Sequence, residues 1–177
     1  MMSPVILEGV AIQLLPLKLD HVEALCGVGL EPRLWQATTI RVLTRTEIES
    51  YVRAALGAQR DGMALPFVIS ERGTGRVIGS TRFHSFSAEH RHLEIGFTWL
   101  RLACQRTAIN TEAKYLFLRH AFESLGCIRV EFRADSENQQ SRRALLRIGA
   151  REEGVLCHLR ISSHLGVRDL VLYSILK

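Results

Sequence analysis

Glu94 is the first residue in this chain that could do chemistry. It is a lone carboxylate in an otherwise apolar run, Leu93-Glu94-Ile95-Gly96-Phe97-Thr98-Trp99-Leu100. A carboxylate so placed could take a proton directly or through water. His84 and His92 offer the same chemistry, because an unperturbed imidazole is about half neutral near pH 6.5. The apolar run is followed by a short basic turn, Gln105-Arg106-Thr107-Ala108-Ile109-Asn110, and then by a helical stretch from Thr111. Free backbone N–H groups converge at a helix start, where the macrodipole adds about half a positive charge. Arg106 adds a full charge, and no acidic side chain intervenes before Glu112. A pyrophosphate suits such a place, although a plain strand-to-helix connection has the same spacing. Further on, Asn138-Gln139-Gln140-Ser141 opens another helical stretch with an amide and a hydroxyl.

The elements that must position these groups follow from hydrophobic period and turn residues. A first strand is predicted over 10–15, then a helix opened by Asp20 with Glu23 as its capping box. The loop over 31–43, holding Trp35, Thr38, Thr39 and Arg41, shows no helical period. Thr46 with Glu49 predicts a second capping box, ahead of Ile48, Tyr51, Val52, Ala55 and Leu56 at helical spacing. Strands over 65–71 and 76–84 are joined by Arg72-Gly73-Thr74-Gly75, a hairpin signal. In the run from Leu93 to Leu100, alternation sets Glu94 and Gly96 opposite Leu93, Ile95 and Phe97. The helix over about 111–125 is apolar on most sides and must be heavily buried. A strand over 129–135 alternates Val130, Phe132 and Ala134 inward; a helix ending at Gly149-Ala150 and two strands near 155–161 and 167–176 close the chain. The order β-α-α-β-β-β-α-β-α-β-β implies one mixed sheet with helices on both faces. No linker or repeat divides the chain, so residues 1–177 are expected to form a single domain.

Composition narrows the function classes. Lys and Arg number 23 against 18 Asp and Glu, a net charge of +5, yet no block of five or six like charges appears. Scattered charge without interleaved aromatics argues against nucleic-acid binding. The four cysteines include no C-x-x-C pair, so neither a metal site nor a disulfide framework is indicated, and free thiols suit the cytoplasm. The first basic residue is Lys18 and no apolar run reaches about 18 residues, so neither a signal peptide nor a membrane span is expected.

The string Arg106-Thr107-Ala108-Ile109-Asn110-Thr111-Glu112-Ala113-Lys114, then Asn138 with Ser141, then Gly149-Ala150-Arg151-Glu152-Glu153-Gly154, resembles the GNAT N-acetyltransferase superfamily in its RimJ/RimL-like branch. There the corresponding text is commonly G-T-G-V-N-T-E-A-K, N-x-x-S and G-A-x-x-E-G. The likeness runs from about Gly9 to Leu176. It implies an α/β (α+β) fold with a mixed, mostly antiparallel sheet of about seven strands and about four helices on both faces. The strands before and after the long helix would splay to admit the pantetheine arm of acetyl-CoA.

The resemblance also implies roles. Arg106, Thr107, Ala108, Ile109, Asn110 and Thr111 would form the pyrophosphate turn, with Asn110 capping the helix or meeting coenzyme. Ala108 stands where the branch usually has Gly. Backbone N–H groups of Phe97, Thr98, Trp99 and Leu100 would polarise the thioester carbonyl. Glu94 would be the base, and Asn138 would bind pantetheine or cap its helix. Many members place a Tyr seven residues after that Asn as the final acid; here the position is Leu145. Ser141 would substitute, or serve as a local cap. Trp35, Arg82 and His84 would bind the acceptor, with Arg168 a further choice for a carboxylate. The acceptor would be a small amine or a protein N-terminus, the enzyme a monomer or homodimer, and no metal would be needed. A non-catalytic acyl-CoA-binding module is the alternative.

Overall fold

The computed structural model describes residues 2–177. Eight strands, β1 (Leu7–Glu8), β2 (Ile12–Pro16), β3 (Ala64–Glu71), β4 (Val77–Ser87), β5 (His92–Leu100), β6 (Arg129–Asp135), β7 (Arg151–Ser162) and β8 (Gly166–Leu176), form one sheet. Their order across it is β1-β2-β3-β4-β5-β6-β8-β7. Four helices accompany them: α1 (Val22–Gly29), α2 (Arg45–Arg60), α3 (Ala108–Arg119) and α4 (Gln139–Arg147). Neighbouring strands are antiparallel except β5 and β6, which pair in parallel through His92↔Arg129, Leu93↔Val130 and Glu94↔Glu131. That ladder stops at Glu94, although β5 continues to Leu100 and β6 to Asp135. Beyond it the two strands part.

Alternating side chains give the sheet two apolar faces, each sealed by helices. One face packs Phe67, Phe83, Leu93, Ile95 and Phe132 against Leu116 and Phe117 of α3. Here Phe117 stacks on Phe83 and Phe67 at centroid distances of 4.1 and 5.1 Å. The other packs Val68 and Trp99 against Leu25 of α1, Ile48 and Val52 of α2, and Trp35. At about 25 cal/mol per Å² of apolar surface, two such faces supply the main stabilisation.

Several boundaries differ from the expected ones. The sheet has one strand more than about seven, because Leu7–Glu8 pairs with β2. The first long strand begins at Ile12, since Val10 sits in a turn and is 93% exposed. Asp20 opens no cap; it lies in a 3-10 turn, Leu19–His21, before α1. The capping box of α2 is Thr44 with Glu47. Two Thr-x-x-Glu boxes overlap here, and the earlier one satisfies more of the free N–H groups. Pro32–Trp35 forms a 3-10 turn within the loop expected to lack helix.

Candidate active site

The parting of β5 from β6 opens a cleft of about 420 Å³, lined from Gly96 to Leu100 by β5 and from Phe132 to Asp135 by β6. Within β5 the expected alternation breaks. Ser80 pairs with Trp99 and Arg82 with Gly96, so Thr81 alone faces both Phe97 and Thr98. Such a two-against-one bulge re-aims the side chains around it. Phe97 takes a left-handed φ of 53° to make the bend. The ring of Phe97 thereby lies on the Glu94 face, 5.3 Å from His84, and not beside Leu93 and Ile95 as strict alternation predicts. Thr98 turns to the α3 face.

Glu94 sits where the two strands begin to part and is only 4% exposed. Its Oε1 lies 3.6 Å from His84 Nε2 and its Oε2 lies 3.5 Å from Arg133 Nη1. Among the described residues neither Glu94 Oε2 nor His84 Nε2 has a hydrogen-bond partner. Burial raises the Glu94 carboxyl above its ordinary range; Arg133 opposes this, and Glu131 adds to it. Burial also pushes the His84 imidazole down to about 4, aided by the charges of Arg82, Arg133 and Arg160. His84 is therefore neutral at neutral pH. It is a half-buried residue on the cleft wall. Gly96 makes room for it, because a Cβ there would meet His84 Nε2 at 2.5 Å. His92 is not on the cleft wall.

At the other end of β5, helix α3 begins at Ala108, three residues before its expected start at Thr111. Thr107 is the cap, accepting from Ile109 N–H at 3.3 Å and donating to the Cys104 carbonyl at 2.7 Å. Asn110 is thus a first-turn residue that borders the cleft and not the cap. The amides of Ala108 and Asn110 lie in the first turn, which offers no intrahelical acceptor. Ala108 has a negative φ, so its Cβ causes no strain. The left-handed residue is Arg106, with φ 60°, two positions earlier and also at a branch glycine. Holding a non-glycine residue there costs roughly 1–2 kcal/mol. Glu112 does not oppose an anion, because its carboxylate turns away and accepts from the backbone N–H groups of Val10 and Ala11.

Helix α4 forms the far wall. Asn138 caps it, accepting from Ser141 N–H at 3.0 Å, and its side-chain amide donates to the Ala37 carbonyl at 2.8 Å. Both polar ends of Asn138 are so engaged. Asn138→Ala should lower stability by about 1–2 kcal/mol, a cap and a loop tether together. A shifted urea midpoint at unchanged slope would register it. Ser141 meets Asn138 through its backbone N–H, and the residue borders the cleft. Gln140 Nε2 donates to Gln105 Oε1 at 2.9 Å, joining α4 to the turn before α3. Leu145, where an acid is usual in the branch, is a buried apolar residue on the cleft wall.

Three residues expected to meet the acceptor are occupied otherwise. Trp35 is 2% exposed; its indole N–H donates to the Gly29 carbonyl at 2.7 Å, and its ring packs 5.4 Å from Trp99. It plugs the core and also borders the cleft. Arg82 lies behind the cleft wall, stacked 3.9 Å over the Phe97 ring and 5.0 Å from that of Tyr51. Arg168 binds Asp135 through two bonds of 2.8 and 2.7 Å and reaches Glu137 at 2.8 Å. It is an internal clamp.

Lys114 borders the cleft without having been expected there. It is only 6% exposed, and its Nζ donates to Thr98 Oγ1 at 2.6 Å. In the sequence it is a single cation in the apolar stretch from Ala113 to Leu118, and it closes the string Asn110-Thr111-Glu112-Ala113-Lys114 that carries the resemblance, without a role read for it there.

Among the described residues no cluster of His, Cys, Asp or Glu could hold a metal ion, and no helix is long and apolar enough to cross a membrane. In comparison with known proteins, the uncharacterized N-acetyltransferase YoaA of Bacillus subtilis (strain 168) is 31% identical over 103 residues, 58% of this chain and 56% of that protein. The chain therefore matches a little over half the length of this curated relative. A crystal structure of a protein from T. thermophilus assigned as an acetyltransferase superposes with a TM-score of 0.88 at 34% identity, covering 100% of this chain and 92% of that one. A GCN5-related N-acetyltransferase from Brucella melitensis gives a TM-score of 0.87 at 27% identity, over 99% and 80% of the two chains. The acetyltransferase (GNAT) domain family matches residues 12–151, and with a sheet split beyond Glu94 and a bulged β5, this chain belongs to the GNAT acetyltransferase family.

Proposed function

We propose that this chain is an N-acetyltransferase of the RimJ/RimL-like branch, moving an acetyl group from acetyl-CoA directly to a primary amine. The amine belongs to a small molecule or to a protein N-terminus. The observation that carries the reading is the buried Oε2 of Glu94, without a hydrogen-bond partner, at the point where β5 and β6 separate. A carboxylate held so, with burial raising its proton affinity above the ordinary carboxylate range, is better suited to take a proton than an exposed one.

The residues fit the coenzyme. Open amides at the start of α3, with Arg106 beside them, suit a pyrophosphate. The gap between β5 and β6 suits a narrow, extended arm, along which a backbone N–H of the Phe97–Thr98 bulge would meet a carbonyl oxygen. An oxyanion donor of that kind stabilises a transition state by roughly 3 kcal/mol. Acetyl-CoA supplies the activated thioester. Glu94 takes the proton that the amine loses as its nitrogen bonds to the acetyl carbon and the carbon–sulfur bond breaks. Neutral His84 holds its imidazole beside that carboxylate without competing for its charge. Ser141 lies on the coenzyme side, where its hydroxyl can donate to sulfur.

The test is incubation of the purified chain with acetyl-CoA and a panel of amino acids, polyamines and N-terminal peptides. Thiol release with an amine that gains one acetyl group by mass is the expected result. Tight coenzyme binding with no thiol release from any amine would favour a non-catalytic acyl-CoA-binding module.

A further inference from the structure

Glu94 explains where a proton goes, but not where the departing sulfur finds one. The position of a usual acid is Leu145, and the hydroxyl expected to substitute, that of Ser141, is an alcohol of ordinary acidity. The opposite face of the split sheet holds a stronger donor. Lys114 is the seventh residue of α3, which lies under the gap between β5 and β6. The β5 bulge turns Thr98 to that face, where Thr98 Oγ1 bonds both Lys114 Nζ at 2.6 Å and Thr81 Oγ1 at 2.8 Å. Across the gap, Lys114 Nζ stands 5.7 Å from the Phe132 ring of β6.

The surroundings of this amine are neutral. Thr98 of β5, Thr81 of β4 and Phe132 of β6 face it. Among the described residues Lys114 has no carboxylate within ion-pair distance, and burial is what shifts its proton affinity. Desolvation lowers it from the ordinary lysine value to about 7. A buried cation without a counter-charge is costly, and removing it from a site with only a hydroxyl partner should stabilise the fold. Such a group is well matched to a negative charge that forms only during reaction.

We propose that Lys114 is the acid of the transfer: its ammonium holds and then protonates the coenzyme thiolate that leaves as the amide bond forms. The proposal rests on the acetyl-CoA reading above. The carbon–sulfur electron pair goes to sulfur, one Lys114 N–H proton follows it, and the neutral amine left behind is reprotonated from solvent. Proton removal by Glu94 and proton delivery by Lys114 then lie on opposite faces of the same sheet, at the same break in its ladder.

The experiment titrates the thiol of bound CoA by its thiolate absorbance, in the wild type and in Lys114→Met and Lys114→Arg. Desulfo-CoA serves as the blank. Because Lys114 carries its charge only up to about pH 7, a cation within reach of sulfur should draw part of the bound thiol's ionisation down toward that pH, as a coupled thiolate–ammonium titration that the Lys114→Met complex lacks. Lys114→Arg should preserve part of that shift, yet lose turnover because a guanidinium does not release its proton. Lys114→Met should melt no lower than the wild type, so loss of the shift would not reflect unfolding. Equal thiol titration in wild type and Lys114→Met would overturn the assignment while leaving the acetyl-CoA reading intact. Failure of the wild type to bind CoA at all would overturn both.

Discussion

Glu94→Gln is expected to cut kcat by about 10²- to 10⁴-fold, the usual contribution of a positioned general base, with little change in affinity for acetyl-CoA. The amide keeps the shape and the contacts to His84 and Arg133 but cannot take a proton. The pH profile should change with the rate. In the wild type kcat/KM should rise with pH as Glu94 ionises, at a pH above the ordinary carboxylate range because burial raises its proton affinity. In the variant that acidic limb should disappear. Stability should move the other way. The folded state binds the Glu94 proton more tightly than the unfolded chain does, so Glu94 makes stability fall as pH climbs from the unfolded value, about 4.3, through the raised folded value. A glutamine amide in its place would carry no such penalty. The variant should therefore melt higher than the wild type at pH 7 and converge with it near pH 4. A variant with unchanged turnover and an unchanged acidic limb would remove Glu94 from the chemistry.

Ala108→Pro should weaken acetyl-CoA binding by about 10- to 100-fold without weakening the fold. Ala108 is the first helical residue of α3, a position where proline suits the backbone and deletes one N–H. The residue before it, Thr107, already holds φ −108° and ψ 179°, the extended geometry that a following proline demands. The substitution thus removes one hydrogen-bond donor and little else. A bond from that donor to a charged phosphate oxygen is worth about 1.5–3 kcal/mol. Calorimetry on the variant measures the loss, and thermal melting checks that the helix persists. Unchanged affinity would mean that this end of α3 does not hold the coenzyme.

Much of the fold was legible because its elements have clear periods. Val130, Phe132 and Ala134 alternate in a strand whose observed limits match those predicted, and Arg72-Gly73-Thr74-Gly75 marks the hairpin between β3 and β4. Helix starts were harder where caps compete. Thr107 and Asn110 are both good caps, and in the structure it is Thr107 that caps, its hydroxyl also donating to the Cys104 carbonyl. The candidate site was legible where one residue carries the signal: Glu94, a lone charge in an apolar strand, lies on the cleft wall. It was illegible where the fold overrides local preference. A phenylalanine rarely adopts a left-handed φ, so nothing in the residue types around Phe97 announces the bulge that reverses Thr98. Without the bulge Lys114 has no visible partner and reads as a stray cation on a buried helix. Trp35 and Arg82 were ambiguous for the opposite reason. An indole and a guanidinium suit a binding wall, but both are equally suited to the stacked interior that Trp99, Tyr51 and Phe97 provide.

The central claim is that the gap between β5 and β6 receives acetyl-CoA with its pyrophosphate on the start of α3. Calorimetric titration of the purified chain with acetyl-CoA, beside pantetheine fragments that lack the pyrophosphate, tests it most directly. The account predicts micromolar binding of acetyl-CoA and a loss of at least about tenfold, roughly 1.4 kcal/mol, for the fragments. No heat at millimolar acetyl-CoA, or equal affinity for fragments and whole coenzyme, would contradict it.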